Sequence, residues 1–228
     1  MKIHPIQKKY FVDHAVAELI TLISEAGSHA RLPSETELAK QMNVSRPIIR
    51  EALQGLKLTG LITSNKKDGT KISEPSVKKT LAHLLLFHKA QSKRWHQIGE
   101  LRYALELGML DIVLERMTAE EITIMEQYAE ELNSATSLKK IIELEIKFHQ
   151  CYYSGSHSTI LQELSELLME FFNDCLSSKL IGKKMRALLQ SRQEKGEHLL
   201  FARALKSRNR EAAHTLLKRH LLHYLDKY

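Results

Sequence analysis

Ser45-Arg46-Pro47-Ile48-Ile49-Arg50-Glu51-Ala52-Leu53-Gln54-Gly55-Leu56 reads as a helix with one apolar side and a charged leading end. The Ser45 hydroxyl can cap its N-terminus, because the first amides of a helix have no partner inside it. Pro47 falls in the first turn, where a missing N–H costs nothing. Ile49, Ala52, Leu53 and Leu56 recur at helical spacing and form one apolar stripe. Arg46 and Arg50 stand one turn apart on another face. A short helix with an apolar back and two arginines at its leading end suits reading of the major groove, since the guanidinium fork matches guanine edges and phosphates. Arginines at this spacing also decorate ordinary surface helices, so the flanking segments decide between the two.

Upstream, Leu32-Pro33-Ser34-Glu35-Thr36-Glu37-Leu38-Ala39 opens a second helix. Ser34 with Glu37 three residues on is a capping box. This helix carries Leu38, Ala39 and Met42 and breaks at Asn43 before Ser45 starts the next. Two short helices with a three- to four-residue turn make a helix-turn-helix. Downstream, Gly60 ends the second helix and Leu61-Ile62-Thr63 becomes a strand. Asn65-Lys66-Lys67-Asp68-Gly69 is a turn, and Thr70-Lys71-Ile72-Ser73 returns as a hairpin, which makes a wing. Tyr10 to Ala26, with Phe11, Ala15, Leu19, Leu22 and Ile23 as its stripe, supports the pair from behind as scaffold.

The ordered run Leu32-Pro33-Ser34-Glu35, Leu38-Ala39, Val44-Ser45-Arg46, Arg50-Glu51-Ala52-Leu53, Leu56, Gly60-Leu61-Ile62 and Gly69 resembles the winged-helix domain of the GntR family of bacterial transcription regulators. The resemblance implies that Ser45, Arg46 and Arg50 contact operator DNA and that Gly69 places the wing tip in the minor groove. Thr36 stands where family members often carry Arg, so one backbone or base contact is lost or altered.

The whole chain has 228 residues, enough for one large or two ordinary domains, and a formal charge of +7. The first 75 residues hold 11 Lys/Arg against 8 Asp/Glu, and the excess is spread rather than gathered in a tail. That balance suits a binder of phosphate backbones without proving one. The two cysteines, Cys151 and Cys175, form no paired motif and read as core thiols of a cytosolic, reducing compartment. Lys2, His4, Lys8, Lys9 and Asp13 interrupt the N-terminus, so no signal peptide is expected, and no apolar run approaches membrane-spanning length. The expected location is cytoplasmic.

Glu74-Pro75-Ser76 closes the wing, and Ser76 to about Lys93 reads as a linking helix in which His83 and His88 are structural or solvent-exposed. Beyond Trp95 every segment reads as helix: His96–Glu115; Thr118 to about Asn133, with Thr118 and Glu121 as a capping box; Leu138 to about Tyr153; Thr159–Leu180; Lys183 to about Lys206; and Arg210–Leu225. The expected fold is mainly α, with a winged helix-turn-helix over 1–75, a linker over 76–94 and an all-helical bundle of six to seven helices over 95–228.

Within the bundle, Glu145 and His149 lie four apart on one helical face, a spacing at which two ligands can share one metal ion. The same spacing also makes plain surface contacts. His198, followed by Phe201, Ala202 and Leu205, and His220, between Leu216-Leu217 and Tyr224, point with the apolar stripes of their helices. Each alone is best explained as a core histidine with a satisfied hydrogen bond. Three such helices in one bundle admit a common metal. His157, His214 and His223 have no such case: His157 reads as turn structure and the other two as facing solvent or a neighbouring helix.

Leu101-Arg102-Tyr103-Ala104-Leu105-Glu106, Phe148-His149, Ser154-Gly155, Glu197-His198, Ala202–Ala204 and His220-Leu221 resemble the FCD effector domain of the FadR branch of the same family. The resemblance implies a divalent ion (zinc, nickel or manganese) held by Glu145, His149, His198 and His220, with Glu145 in place of the usual Asp. The extra methylene shifts the carboxylate outward, so that binding adjusts or a water replaces this ligand. Arg102 shares a face with Ile98, Leu105 and Met109 and points inward. It is either half of an internal salt bridge, with Glu106 or Glu145, or a clamp on an effector carboxylate, which the resemblance favours.

The leading expectation is a homodimeric repressor that binds palindromic double-stranded operator DNA and responds to a small carboxylate effector, with no membrane partner. Two alternatives stay open: a metal-responsive regulator without an organic effector, and a metal-dependent hydrolase. The hydrolase is disfavoured because the chain has no His-Glu-x-x-His, nucleophile elbow or phosphate loop.

Overall fold

The apolar stripe of the third helix is the floor of the N-terminal unit. Ile49, Ala52, Leu53 and Leu56 are all buried, against Ala15, Leu19 and Ile23 of the first helix and Leu38 and Ala39 of the second. The computed structural model describes residues 8–65, 67–74, 76–78, 80–81, 95–177, 191, 196–222 and 225. The chain divides into two units, Met1–Leu81 and Ala82–Tyr228.

In the first unit α1 (Lys8–Ala26) packs across α3 (Arg46–Leu58), and α2 (Glu35–Gln41) lies beside it. Ser34 caps α2 as expected: its Oγ accepts from the Glu37 amide, and the Glu37 carboxylate accepts from the Ser34 N–H at 2.8 Å. Asn43 turns the chain at a φ of 51°, in the left-handed region that Asn tolerates. β1 (Ile62–Asn65) and β2 (Gly69–Ile72) form the antiparallel wing, with Ile62 opposite Ile72 and Asn65 opposite Gly69. The Asn65 side chain accepts from the amides of Lys67 and Asp68 and shapes the tip. Gly69 has a φ of 73°, which the return from that turn requires.

One local expectation fails. Ser45 occupies the N-cap of α3, but its hydroxyl makes no capping hydrogen bond. Pro47 is the second residue of the helix and has no amide to donate, which removes one of the two donors a capping hydroxyl uses.

The second unit is helical throughout its described residues: α4 (Trp95–Gly108), α5 (Leu110–Arg116), α6 (Ala119–Ser134), α7 (Leu138–Ser154), α8 (Thr159–Ser177), α9 (Glu197–Lys206) and α10 (Arg210–Leu222). The single helix expected over His96–Glu115 is two, broken at Met109 directly after Gly108, the residue type least committed to helical backbone. Met109, at the break, is buried. α7 packs on α6 and α8, α9 on α6 and α10, and α10 on α4. Gly155 ends α7 at a point where a Cβ would lie 2.7 Å from Met117 Cγ, so the Met117 side chain after α5 packs directly on the Gly155 backbone. The single helix expected from Lys183 to about Lys206 is interrupted at Gly196, whose φ of 58° no α-helix admits, and α9 starts only after it. Most of the linking helix with His83 and His88, most of residues 183–195, His223, Tyr224 and the Cys175 side chain lie outside the described residues.

Candidate functional site

α7 presents the first two site residues because its stripe is wide. Ile141, Ile142, Leu144, Phe148, Tyr152 and Tyr153 anchor it in the core, and Glu145 and His149 sit one turn apart on the same buried side. Glu145, His149 and His198 are each 1% exposed and His220 is 5%. One ligand atom from each of the four lies within 4.8 Å of all the others. His149 Nε2 is 3.1 Å from His220 Nε2, and Glu145 Oε2 is 3.2 Å from His198 Nε2 and 3.6 Å from His149 Nε2. The rings of Phe148 and His198 meet edge-on at 4.7 Å and wall the cluster. The four expected residues, from α7, α9 and α10, are therefore together.

The donor chemistry tests whether a cation fits here. Neither oxygen of the Glu145 carboxylate accepts a hydrogen bond, and neither nitrogen of His198 makes one. Burying such atoms unsatisfied is costly. Burial opposes ionisation of Glu145, yet the facing imidazoles of His198, His149 and His220 hold its carboxyl well below the ordinary range. A buried carboxylate among three imidazoles is a nitrogen-and-oxygen donor set of the kind that zinc, nickel and manganese accept. The residues present fit a divalent ion.

The outer layer was only partly foreseen. Glu106 is fully buried, and its Oε2 lies 2.8 Å from His149 Nδ1 while its Oε1 accepts from Arg102 Nε at 2.9 Å. Burial pushes the Glu106 carboxyl up, but Arg102 and His149 more than offset this and hold it at about 2. An ionised acceptor facing Nδ1 favours the proton on that nitrogen, which leaves Nε2 directed at the cluster. Tyr152 donates its hydroxyl to the Glu106 carbonyl at 2.9 Å and pins the same turn of α4. Arg102 is thus half of an internal salt bridge, and of its two expected partners it chooses Glu106, four residues on along α4. Sequence reasoning missed Glu197, which lies 3.8 Å from His220 Nδ1 and 3.4 Å from Arg219 Nε. Its signal in the sequence was its place in the Glu197-His198 pair, and the structure buries it to 7% exposure.

Among the other histidines, His157 sits at a φ of 51° in the turn after α7 and contacts the Glu121 carboxylate at 3.1 Å, so it is turn structure as expected. His214 is half-buried on α10. Cys151 is a half-buried thiol whose pKa burial pushes up to about 11, which makes it inert.

In the first unit, Ser45, Arg46, Arg50 and Thr36 are exposed. Arg50 is held from α2: Glu35 Oε2 accepts from Nη2 at 2.8 Å and Oε1 from Nε at 3.3 Å, with Arg46 Nη2 3.8 Å away. Gly69 stands across a cleft from Ser34 and Glu35.

Comparison with known proteins agrees with this architecture. Residues 97–223 match the FCD domain, and residues 11–72 match the bacterial regulatory proteins of the gntR family. The HTH-type transcriptional regulator YdhC of Bacillus subtilis is 28% identical over 85% of this chain and 77% of its own length. The HTH-type transcriptional repressor NanR of Salmonella newport is 25% identical over 95% of this chain and 85% of its own. The structure of Streptococcus agalactiae GntR has the same fold, with a TM-score of 0.61 and 24% identity over 92% of this chain and 97% of that one. These relatives are transcription regulators and not enzymes, which removes the hydrolase alternative. Among the described residues no helix is long and apolar enough to cross a membrane. A winged helix-turn-helix followed by an FCD bundle makes this chain a member of the GntR family of DNA-binding transcription regulators, in its FadR subfamily.

Proposed function

We propose that the chain is a repressor that binds palindromic operator DNA as a homodimer, and that a small carboxylate bound in the helical domain, beside a divalent ion, changes its operator affinity. Residues 1–75 bind DNA, 95–228 bind effector and dimerise, and 76–94 join them. Ser45, Arg46 and Arg50 contact the operator, with Thr36 and Gly69 at the edges of the contact. The Ser45 hydroxyl, which α3 does not use as a cap, is available to a phosphate. Operator binding places the protein with the chromosome in the cytoplasm. The repressor sense is supported by the similarity to NanR, itself named a repressor.

The observation that carries the effector site is the convergence of Glu145, His149, His198 and His220 on one buried point, with both Glu145 oxygens lacking a hydrogen-bond donor. These four residues would hold the ion, and Glu106 would orient His149. A bound divalent ion supplies a Lewis-acid position for the oxygens of a carboxylate ligand. Arg102 stands one residue contact away, through Glu106, as the cation that a second carboxylate oxygen would meet.

A second reading makes the metal itself the signal. It is favoured by the Arg102–Glu106 pair, which engages the proposed clamp inside the protein.

Thermal melting of the full chain against a panel of small carboxylic acids, before and after chelator treatment, separates the two. A ligand that binds only the native state raises the melting temperature by mass action, by about 2.7 kcal/mol of stabilisation at a hundred times its Kd. An acid that stabilises the metal-loaded protein and not the stripped one supports the effector reading. Stabilisation by metal with no acid effective supports the second. Elemental analysis is expected to find less metal in His149→Ala and His220→Ala than in wild type. Equal content in all three would end both readings.

A further inference from the structure

We infer that Arg31 seats a DNA backbone phosphate in the cleft between the root of the wing and the start of α2, apart from the arginines of α3. The segment before α2 is tied to β2 by a single antiparallel bridge: the Leu32 amide donates to the Thr70 carbonyl at 2.9 Å and the Ile72 amide to the Ala30 carbonyl at 2.8 Å, and Arg31 pairs with Lys71. This fixes the backbone of Arg31 and sends its side chain across Gly69. A Cβ at Gly69 would lie 3.0 Å from Arg31 Nη2 and 3.2 Å from Nε. The guanidinium therefore rests against bare backbone, and the cleft of about 640 Å³ opens beside it, lined also by Ser34, Glu35 and Thr70.

The charges around the cleft are unequally committed. Glu35 is bound to Arg50 and lies near Arg46, and Glu37 is bound to Ser34 through both its amide and its hydroxyl. Arg31 is exposed, and among the described residues no carboxylate lies within ion-pair distance of it. Thr36, at the start of α2, adds no charge. The α3 arginines thus reach DNA with a carboxylate on one edge of the fork, which suits an oriented base contact. Arg31 brings an uncompensated fork, which suits a phosphate, while the Ser34 and Thr70 hydroxyls beside it donate to Glu37 and Ser64. A phosphate contact of this kind adds affinity for any sequence and adds to the salt dependence.

This inference rests on the proposed role of α3 as the recognition helix, and the test keeps the two apart. The full chain, Arg31→Gln, Arg31→Lys and Arg50→Ala are titrated at several KCl concentrations with two short fluorescent duplexes, one of random sequence and one selected by the full chain from a randomised pool, the second reporting the base contacts of Arg50. Melting curves are taken beside each titration. Arg31→Gln keeps the aliphatic stem over Gly69 and loses the charge. It is expected to bind severalfold more weakly and to lower the slope of log affinity against log salt by about 0.9, the share of one phosphate. Arg31→Lys is expected to restore the slope. An Arg31→Gln slope equal to wild type while Arg50→Ala weakens binding overturns the inference and leaves the recognition helix standing. No effect in either variant overturns both.

Discussion

Glu106 shows how much one buried side chain can organise. It is fully enclosed, accepts from Arg102 on one oxygen and faces His149 Nδ1 with the other. A buried carboxylate is tolerable only with such partners, and removing one member of a buried pair typically costs about 3–5 kcal/mol. Glu106→Ala is therefore expected to lower stability in urea melts. It also frees the His149 ring to rotate or change tautomer, and loss of such an outer partner weakens metal binding by about 10–100-fold. Competition against a chromophoric chelator measures this. Glu106→Gln, whose amide oxygen can still accept from Nδ1–H, is expected to lose less. Equal metal affinity in the Ala variant and wild type would mean that Glu106 serves Arg102 alone.

At the scale of the element, capping sets where helices begin and ties them to their neighbours. Thr118 and Glu121 form a complete capping box at the start of α6, and His157 reaches the same carboxylate from the turn after α7. Burial pushes the Glu121 carboxyl up, but the Thr118 amide and His157 more than offset this, so its pKa lies below the ordinary value. A carboxylate depressed in the folded state adds stability above its unfolded pKa, about 4.3, and loses it as pH falls through the folded value. The melting temperature of wild type is thus expected to fall more steeply than that of Glu121→Gln as the pH drops from neutral into the acid range. Parallel curves would show that the box and the His157 contact carry no net charge-linked stability. The α3 cap is the opposite case: a proline at the second position takes away a donor, and the Ser45 hydroxyl is left outside the helix.

For the whole molecule, the two units carry separate cores, one of residues 15–72 and one of residues 98–221. One recognition helix reads few base pairs, and two related by a two-fold axis read a palindrome. Light scattering of the purified protein is expected to give twice the chain mass. A duplex with two half-sites, selected from a randomised pool, is expected to bind far more tightly than either half alone. A monomeric mass at the concentrations used for DNA binding, with equal affinity for half and full sites, would remove the dimer from the proposal.

Much of this was legible in the residues themselves. The capping boxes at Ser34 and Thr118, the stripe of Ile49, Ala52, Leu53 and Leu56, and the turn at Asn65–Gly69 act over a few residues, so their physics is written in local order. The histidines of α7, α9 and α10 were legible as inward-facing for the same reason, since helical spacing puts them on apolar stripes. Their meeting at one point was not, because it depends on how far each helix slides and turns against the next. Only the tertiary structure decided that Arg102 pairs with Glu106, that Glu106 faces His149 from 43 positions away, and that Glu197 stands beside His220. Only it put Arg31 across Gly69, from a bridge to β2 that no local periodicity announces. Local sequence determined which faces are buried; packing decided which buried groups touch.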